Sequence, residues 1–430
     1  MAVASVVKKL TYIGRENTPG TEVPANKHLR GTNLRLLPNN TRGEVRPSGS
    51  LLRTDRPEIM DWSTFSIAPG SALDYNSTLY ALAGICALPT TTTPGGATNA
   101  REHAGIFLPD GSSSRAAYTM VTGYRGGTAE KTIRNVFNSF SFGFSRRAAP
   151  TIGGGGYGRN ADFGASLGVN EVQTITIDAT GGDFDVTFDG QTAASVAYDA
   201  SANTLQTALE GLSNLVPGDV VVTKQGSVFT ITFQGAYANT NVPALTTDPA
   251  DLTGGGSTAV VATSQAGGIT DVPVRAIQSP EWDVYCDSAA GDIGTTKIRP
   301  YSGAFAFNGL TEPDWVVDTD LDSYDDDVVL APDGTLNIVM RNDATARSLR
   351  ADLKAGDTKY IRFQATGPEI ESGQNYLFRI DCAVKAGDNL GQFGEDSGRE
   401  TLPLPLTIIS DSDFASGGWR YLLRNAIASL

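Results

Sequence analysis

Residues 333–356, DGTLNIVMRNDATARSLRADLKAG, change periodicity once, and that change decides the fold class. Residues 335–340 (TLNIVM) alternate, with Leu336, Ile338 and Met340 on one face, the pattern of a half-buried strand. Residues 344–355 switch to helical spacing, with Ala346, Leu349 and Leu353 in one stripe. Asp343 is placed to cap that helix, and Gly356 to supply the left-handed residue that ends it. Strands resume over 359–366, with Ile361, Phe363 and Ala365 inward. They continue over 375–384, with Tyr376, Phe378, Ile380, Cys382 and Val384 on one side. The last strand, 402–409, carries Pro403 and Pro405, which cannot donate to a ladder, so it is expected at a sheet edge. The stretch 333–409 therefore reads as a β-α-β-β-β unit, one helix on a half-buried sheet. Nothing in it looks catalytic.

The rest of the chain fits a mainly β (α+β) protein. At 430 residues, a norm of roughly 100–200 residues per domain implies two or three domains. Apolar content is ordinary at 40%, while 48 glycines imply many short strands joined by turns. No run approaches the roughly 20 apolar residues of a membrane span. The N-terminal MAVASVVKKL places its apolar patch before its lysines, the reverse of a secretory signal. Cys86, Cys286 and Cys382 are odd in number and far apart, which argues against a disulfide framework and for a reducing cytoplasm. His28 and His103 are the only histidines, leaving little for zinc or histidine catalysis.

Charge is unevenly spread. Residues 1–169 carry 18 basic and 11 acidic side chains, residues 170–268 carry 1 and 10, and residues 269–430 carry 14 and 26, within a net charge of −14. A chain with one basic and one acidic end can attract copies of itself, or the two ends can neutralise each other inside one subunit. Arginine outnumbers lysine 24 to 9, and its planar fork suits ion pairs at interfaces.

Taken in order, residues 10–13 read as a strand and 14–27 as a turn-rich arm that either wraps its own domain or reaches a neighbour. Residues 42–53 and 61–68 read as strands with Pro57 in their connection. Asp74 is expected to cap a helix running to Leu88, with Tyr75, Leu79, Leu82 and Cys86 on one face. Residues 90–100 read as loop. Residues 118–124 and 133–145 form the next strand pair, and Phe140, Phe142 and Phe144 alternate along the second. The plain reading is one buried sheet face; the functional one is a base-stacking platform. TIGGGGYGRN (151–160) contains GxGxxG, but Pro150 precedes it and no helical period follows, so it reads as a flexible linker and not a dinucleotide loop. Beyond it, residues 170–268 form their own strand pattern over 172–178, 184–188, 219–224, 228–233 and 258–263. A hairpin signal at Asp189–Gly190 and a short helix over 204–215 complete it. This is an inserted domain whose ends should meet. The host resumes with SPEWDVYCD (279–287), a strand over 298–308 and an acidic loop.

That loop, DTDLDSYDDD (318–327), is the one cluster that invites a metal. Asp318, Asp320, Asp322 and Asp326 fall on odd calcium-loop positions, but Ser323 replaces the turn glycine and Val329 the bidentate glutamate. A solvated acidic surface is the plainer reading, and an acidic wall would let DNA slide by repelling phosphate. Asp183, Asp185 and Asp189 could mimic a carboxylate pair, but read as solvent-facing polarity. Neither GxSxG nor HExxH occurs, so no enzyme, catalytic residue or cofactor is expected.

The order of segments carries a resemblance. YIGRENTPGTEVPANKHLRG (12–31), WDVYCDSAAGDIGTTK (282–297) and GDTKYIRFQATGP (356–368) resemble major tail tube proteins of long-tailed, siphovirus-like bacteriophages. NEVQTITIDATGGDFDVTFDGQ (170–191) and ALEGLSN (208–214) resemble a β-rich, Ig-like module recurrently inserted in phage tail proteins. The resemblance implies a tail tube domain in two parts, 1–169 and 269–430, a β-sandwich or half-barrel with a flanking helix, interrupted by a decoration domain over 170–268. It implies hexameric rings stacked into a tube that conducts double-stranded DNA without sequence-specific binding. Implied partners are further copies of the chain, a tape-measure protein, and tail terminator and tail tip proteins. The location implied is the virion tail, assembled in the host bacterial cytoplasm without membrane insertion. Host-domain acidic residues are expected to face the lumen, with the helix outside the wall. The alternative is an Ig-like surface adhesin or glycan-binding protein. Individual lumen and interface residues, the bacterial host and tail contractility are not legible in the sequence.

Overall fold

A computed structural model of the chain describes residues 9–45, 54–107, 114–124, 129–146, 148–165, 167–316, 323–388, 390, 393–396, 398–412 and 418–430. The fold is mainly β, with three α-helices among the described residues. In the opening unit, strand Asp333–Arg341 buries Leu336, Ile338 and Met340. Helix Ala344–Ala355 follows, and the Asp343 side chain accepts the Ala346 N–H at 3.0 Å. Gly356 ends it at φ 93°, its N–H closing on the carbonyls of Asp352 and Leu353. The helix lays Ala346, Leu349 and Leu353 on the core, so local signals and packing agree.

Two long strands fork the host sheet. Ala129–Ser145 pairs along one edge with Ala148–Ala165; along the other it pairs first with Tyr118–Tyr124 and then with Ser302–Asn308. Gln374–Ala386 pairs on one side with Lys359–Glu371, and on the other with Trp419–Asn425 and then Arg399–Ile408. The forks bring distant strands face to face across one core. Phe142 lies 5.4 Å from Phe305, 5.7 Å from Phe363 and 5.3 Å from Phe378, ring centre to ring centre. Phe140, Phe142 and Phe144 are all buried, so they form a packing face and are not available to stack on bases.

Several expectations need correction. The glycine run is not a linker. It lies inside the 18-residue strand Ala148–Ala165, between Thr54–Ile67 and Ala129–Ser145. A Cβ on Gly155 would sit 2.4 Å from the Phe65 carbonyl oxygen, and one on Gly156 only 1.8 Å from that of Val136. Glycine is there because neighbouring backbones press on the strand, a reason that leaves no alternating side-chain pattern to read. The helix expected from Asp74 to Leu88 spans only Thr78–Ile85, and all eight of its residues are buried. Asp74 instead turns the chain ahead of it, accepting N–H groups from Asn76 at 2.9 Å and Ser77 at 2.8 Å.

The strand Arg399–Ile408 is not an edge, because Asp333–Arg341 flanks it on one side and Gln374–Ala386 with Gly394–Asp396 on the other. On that second side, pairing among the described residues covers 399–401 and 406–408, leaving a gap between them. The Pro405 carbonyl points that way, accepting from Gly387 N at 3.0 Å, so both prolines turn their missing N–H toward the gap. Pro57 lies inside strand Thr54–Ile67, where the register slips between Arg42↔Glu58 and Glu44↔Asp55. The strand expected over 298–308 is split into Lys297–Ile298 and Ser302–Asn308. Thr90–Thr92, expected as loop, pairs with Arg101–Ile106. The arm after residue 15 wraps its own domain: buried Glu16 accepts from Thr119 Oγ1 at 3.0 Å and Arg134 N at 2.8 Å.

Strands between Val172 and Gln265 pair only with one another among the described residues. Val220–Gln225, Val228–Phe233, Val172–Asp178 and Thr258–Gln265 make one sheet; Gln191–Ala197, Gly181–Phe188 and Thr246–Asp248 make a second. Between them and helix Ala202–Glu210 lies a separate core that includes Ile175, Phe184, Phe188, Leu205, Phe229 and Phe233. Asp189 and Gly190 turn the Gly181–Phe188 hairpin with φ 44° and 78°, as a two-residue turn requires. The segment's ends touch, Gly268 N donating to Val169 O at 2.9 Å.

Three substitutions test these assignments by chemical denaturation. Gly156→Ala should destabilise the chain by about 1–3 kcal/mol through overpacking, while Gly95→Ala, which meets nothing within 4 Å, should be near neutral. Asp343→Ala should cost about 1 kcal/mol, the usual loss for a helix N-cap.

Candidate assembly surfaces

The hairpin Leu34–Val45/Thr54–Ile67 outruns the sheet that carries it. Thr54–Ile67 pairs with Ala148–Ala165 only over Trp62–Ser66, whereas its pairing with Leu34–Val45 continues down to Thr54. Over residues 38–45 and 54–61 the pair is thus a two-stranded ribbon whose outer backbone edges pair with no other strand among the described residues. Such a ribbon is marginal in water by itself. Unpaired edges are also the part of a sheet most ready to take another chain.

Beside its root stands a second hairpin, Thr311–Asp314 with Asp326–Val329, which pairs with no other strand among the described residues. Its inner side is anchored. Tyr324 is fully buried 5.4 Å from Tyr157, and Trp315 lies 6.0 Å from Trp62. Even so, Trp315, Val316, Val328, Val329 and Leu330 remain exposed on it, five of the large apolar side chains exposed among the described residues. Arginines from the other half of the chain clamp it. Arg134 pairs with Asp326 and lies 3.7 Å from Asp327, and Arg159 donates to the carbonyls of Tyr324 and Asp325 at 3.3 and 3.2 Å. Burial raises the Asp327 carboxyl above its ordinary value against the pull of Arg134 and Arg115. At this point, basic and acidic parts neutralise each other within one subunit.

Of the calcium candidates, Asp318, Asp320 and Asp322 lie outside the described residues, and Asp326 is occupied by Arg134. No group of three His, Cys, Asp or Glu side chains is arranged to hold a metal among the described residues. Asp185 proves structural: it accepts the Ser195 N–H at 2.8 Å, holding a bulge where Ser195 has φ 59°. The three cysteines are free and buried, and burial pushes their thiols up. His103 is a core histidine, hydrogen-bonded to Thr91, Asn425 and the Ile427 carbonyl. No helix among the described residues is long and apolar enough to cross a membrane.

Sequence reasoning missed the strand Trp419–Asn425, although Trp419, Tyr421 and Leu423 alternate and all are buried. It also missed the ionic cluster on that strand's outer face, where Asp381 meets Arg362 and Arg420. Its signal was arginine and aspartate alternating with core residues in RID (379–381) and WRYLLR (419–424).

Desolvation lowers the His103 pKa below its ordinary 6.5, with Arg101 adding repulsion. The unfolded chain therefore binds the proton more readily, so this contribution to stability is complete above about pH 6.5 and is lost as pH falls through the lowered value. His103→Gln should lose less stability than the wild type between pH 7 and pH 5 in paired denaturation curves. Parallel curves would refute the assignment.

No family model matches the chain, and a search of curated proteins finds no match.

Proposed function

We propose that this chain is a structural virion protein, a tail tube subunit whose hexameric rings stack into a channel for double-stranded DNA. The host domain is read as a β-sandwich or half-barrel with helix Ala344–Ala355 on its outer wall, and residues 170–268 as an Ig-like decoration module. The observation that carries the reading is the ribbon of residues 38–45 and 54–61. It extends past the sheet with both edges unpaired among the described residues, and a two-stranded ribbon gains independent stability by packing on something else. A repeated head-to-tail contact through such a ribbon generates a filament and not a closed dimer. The exposed apolar hairpin at its root adds a patch of the kind that marks an interaction site. The acidic excess of residues 269–430 suits a wall along which DNA passes without sticking. The resemblance noted in the sequence points the same way.

The second reading, a glycan-binding adhesin, is favoured by the separate core of the insert. Against it, Phe184, Phe188, Phe229 and Phe233 are all interior, and no aromatic side chain of the insert is fully exposed.

Electron micrographs of purified protein should show rings or tubes. Shortening the ribbon by removing residues 42–58 and closing it with Asn-Gly should leave the thermal transition in place but abolish stacking. Undiminished tubes from that variant would remove the ribbon from the interface. Replacing residues 170–268 by a short glycine linker should leave tubes intact, because the two ends already meet. Loss of assembly there would put the insert in the contact, and consistent glycan-array binding by the full chain would favour the adhesin.

A further inference from the structure

Away from the ribbon, the outward face of strands Lys359–Glu371, Gln374–Ala386, Trp419–Asn425 and Arg101–Ile106 carries an unbalanced cluster of arginines. The register places Arg362, Asp381 and Arg420 in one cross-strand row. Asp381, with its side chain 1% exposed, accepts from Arg362 at 2.7 Å and 3.0 Å through its two oxygens, and from Arg420 at 3.2 Å. Arg379 stands two residues earlier on the same face. Its closest acidic atom is an Asp381 oxygen at 3.9 Å, beyond hydrogen-bond range, and its side chain is only 28% exposed. Arg362 and Arg420 both hydrogen-bond Asp381, whereas Arg379 reaches it only as a long ion pair and makes no side-chain hydrogen bond among the described residues. The next pair along the face, Arg424 with Glu102, balances itself. Burial, with repulsion from Arg362 and Arg420, holds the Arg379 pKa below its ordinary value.

Arg379 and Arg420 border a cavity of about 480 Å³ whose other walls include Leu88, Thr90, Ala104 and Leu422. Ala104 stands opposite Leu422 in the strand pair along its wall. A half-buried guanidinium whose one ion-pair partner stays beyond hydrogen-bond range is poorly compensated, and a planar fork facing an open cavity fits a carboxylate with two parallel hydrogen bonds.

We propose that this cavity is a carboxylate-binding site filled by an aspartate or glutamate side chain of a second copy of this chain. The occupant follows from charge complementarity. The chain has 47 acidic and 33 basic residues, so a second copy offers carboxylates in excess to a guanidinium that its own Asp381 does not reach within hydrogen-bond range. The inference rests on the self-assembly reading and adds to it a lateral contact separate from the ribbon.

The test uses the full chain with Arg379→Gln and Arg379→Lys, followed by sedimentation velocity over a range of concentrations and by thermal melting. Arg379→Gln should melt at or above the wild-type temperature yet associate at least tenfold more weakly. Arg379→Lys, which keeps the charge without the fork, should fall between. Sodium glutarate should weaken wild-type association more than sodium chloride of equal ionic strength, and have no such extra effect on Arg379→Gln. Equal association of wild type and Arg379→Gln, or equal action of glutarate and chloride on the wild type, overturns the proposal. A wild type that stays monomeric at every concentration overturns the assembly reading, and with it the neighbouring copy as donor. Wild-type assemblies with an unaffected Arg379→Gln overturn this contact alone.

Discussion

The carboxylate of Asp74 is buried and holds together segments 201 residues apart in sequence. It accepts the N–H groups of Asn76 and Ser77 at the entry to helix Thr78–Ile85, and that of Arg275 just beyond the inserted segment. A buried carboxylate is tolerable only when such donors surround it, so helix entry and chain return must form together. The same dependence recurs in the sheet. Ser302–Asn308 joins Ala129–Ser145 to Asp333–Arg341, and the C-terminal Trp419–Asn425 pairs with Arg101–Ile106. Neither half of the host has a complete sheet or a closed core without the other.

This interleaving explains how a whole domain can sit between the halves. The insert buries its own apolar side chains in its own core, and it leaves and re-enters through ends joined by one backbone hydrogen bond. It makes no ladder bond to the host among the described residues, so its strands do not compete for host edges. A host that depends on pairing across the gap needs an insert that is self-contained.

On the outside, charge is settled locally in some places and left open in others. Arg134 and Arg159 clamp the acidic hairpin, and Arg424 is matched by Glu102. The Arg362–Asp381–Arg420 row leaves Arg379 without a hydrogen bond, while the ribbon of residues 38–45 and 54–61 leaves two backbone edges unpaired among the described residues. Both are places where this subunit leaves bonding groups open.

By itself the sequence determined whatever depends on neighbours along the chain. Asp343, the apolar stripe of 346–353 and Gly356 specify their helix locally; Asp189–Gly190 specify their turn; and the alternation of Phe140, Phe142 and Phe144 specifies a buried face. Tertiary structure decided the rest, for reasons that lie across strands. The glycines of 153–158 are a strand because adjacent backbones leave no room for a Cβ, and composition alone cannot distinguish that from a linker. Pro403 and Pro405 sit inside a sheet because a gap between two partner strands falls opposite them. Arg379 is notable only through what fails to reach it, and that depends on the register of three strands far apart in sequence.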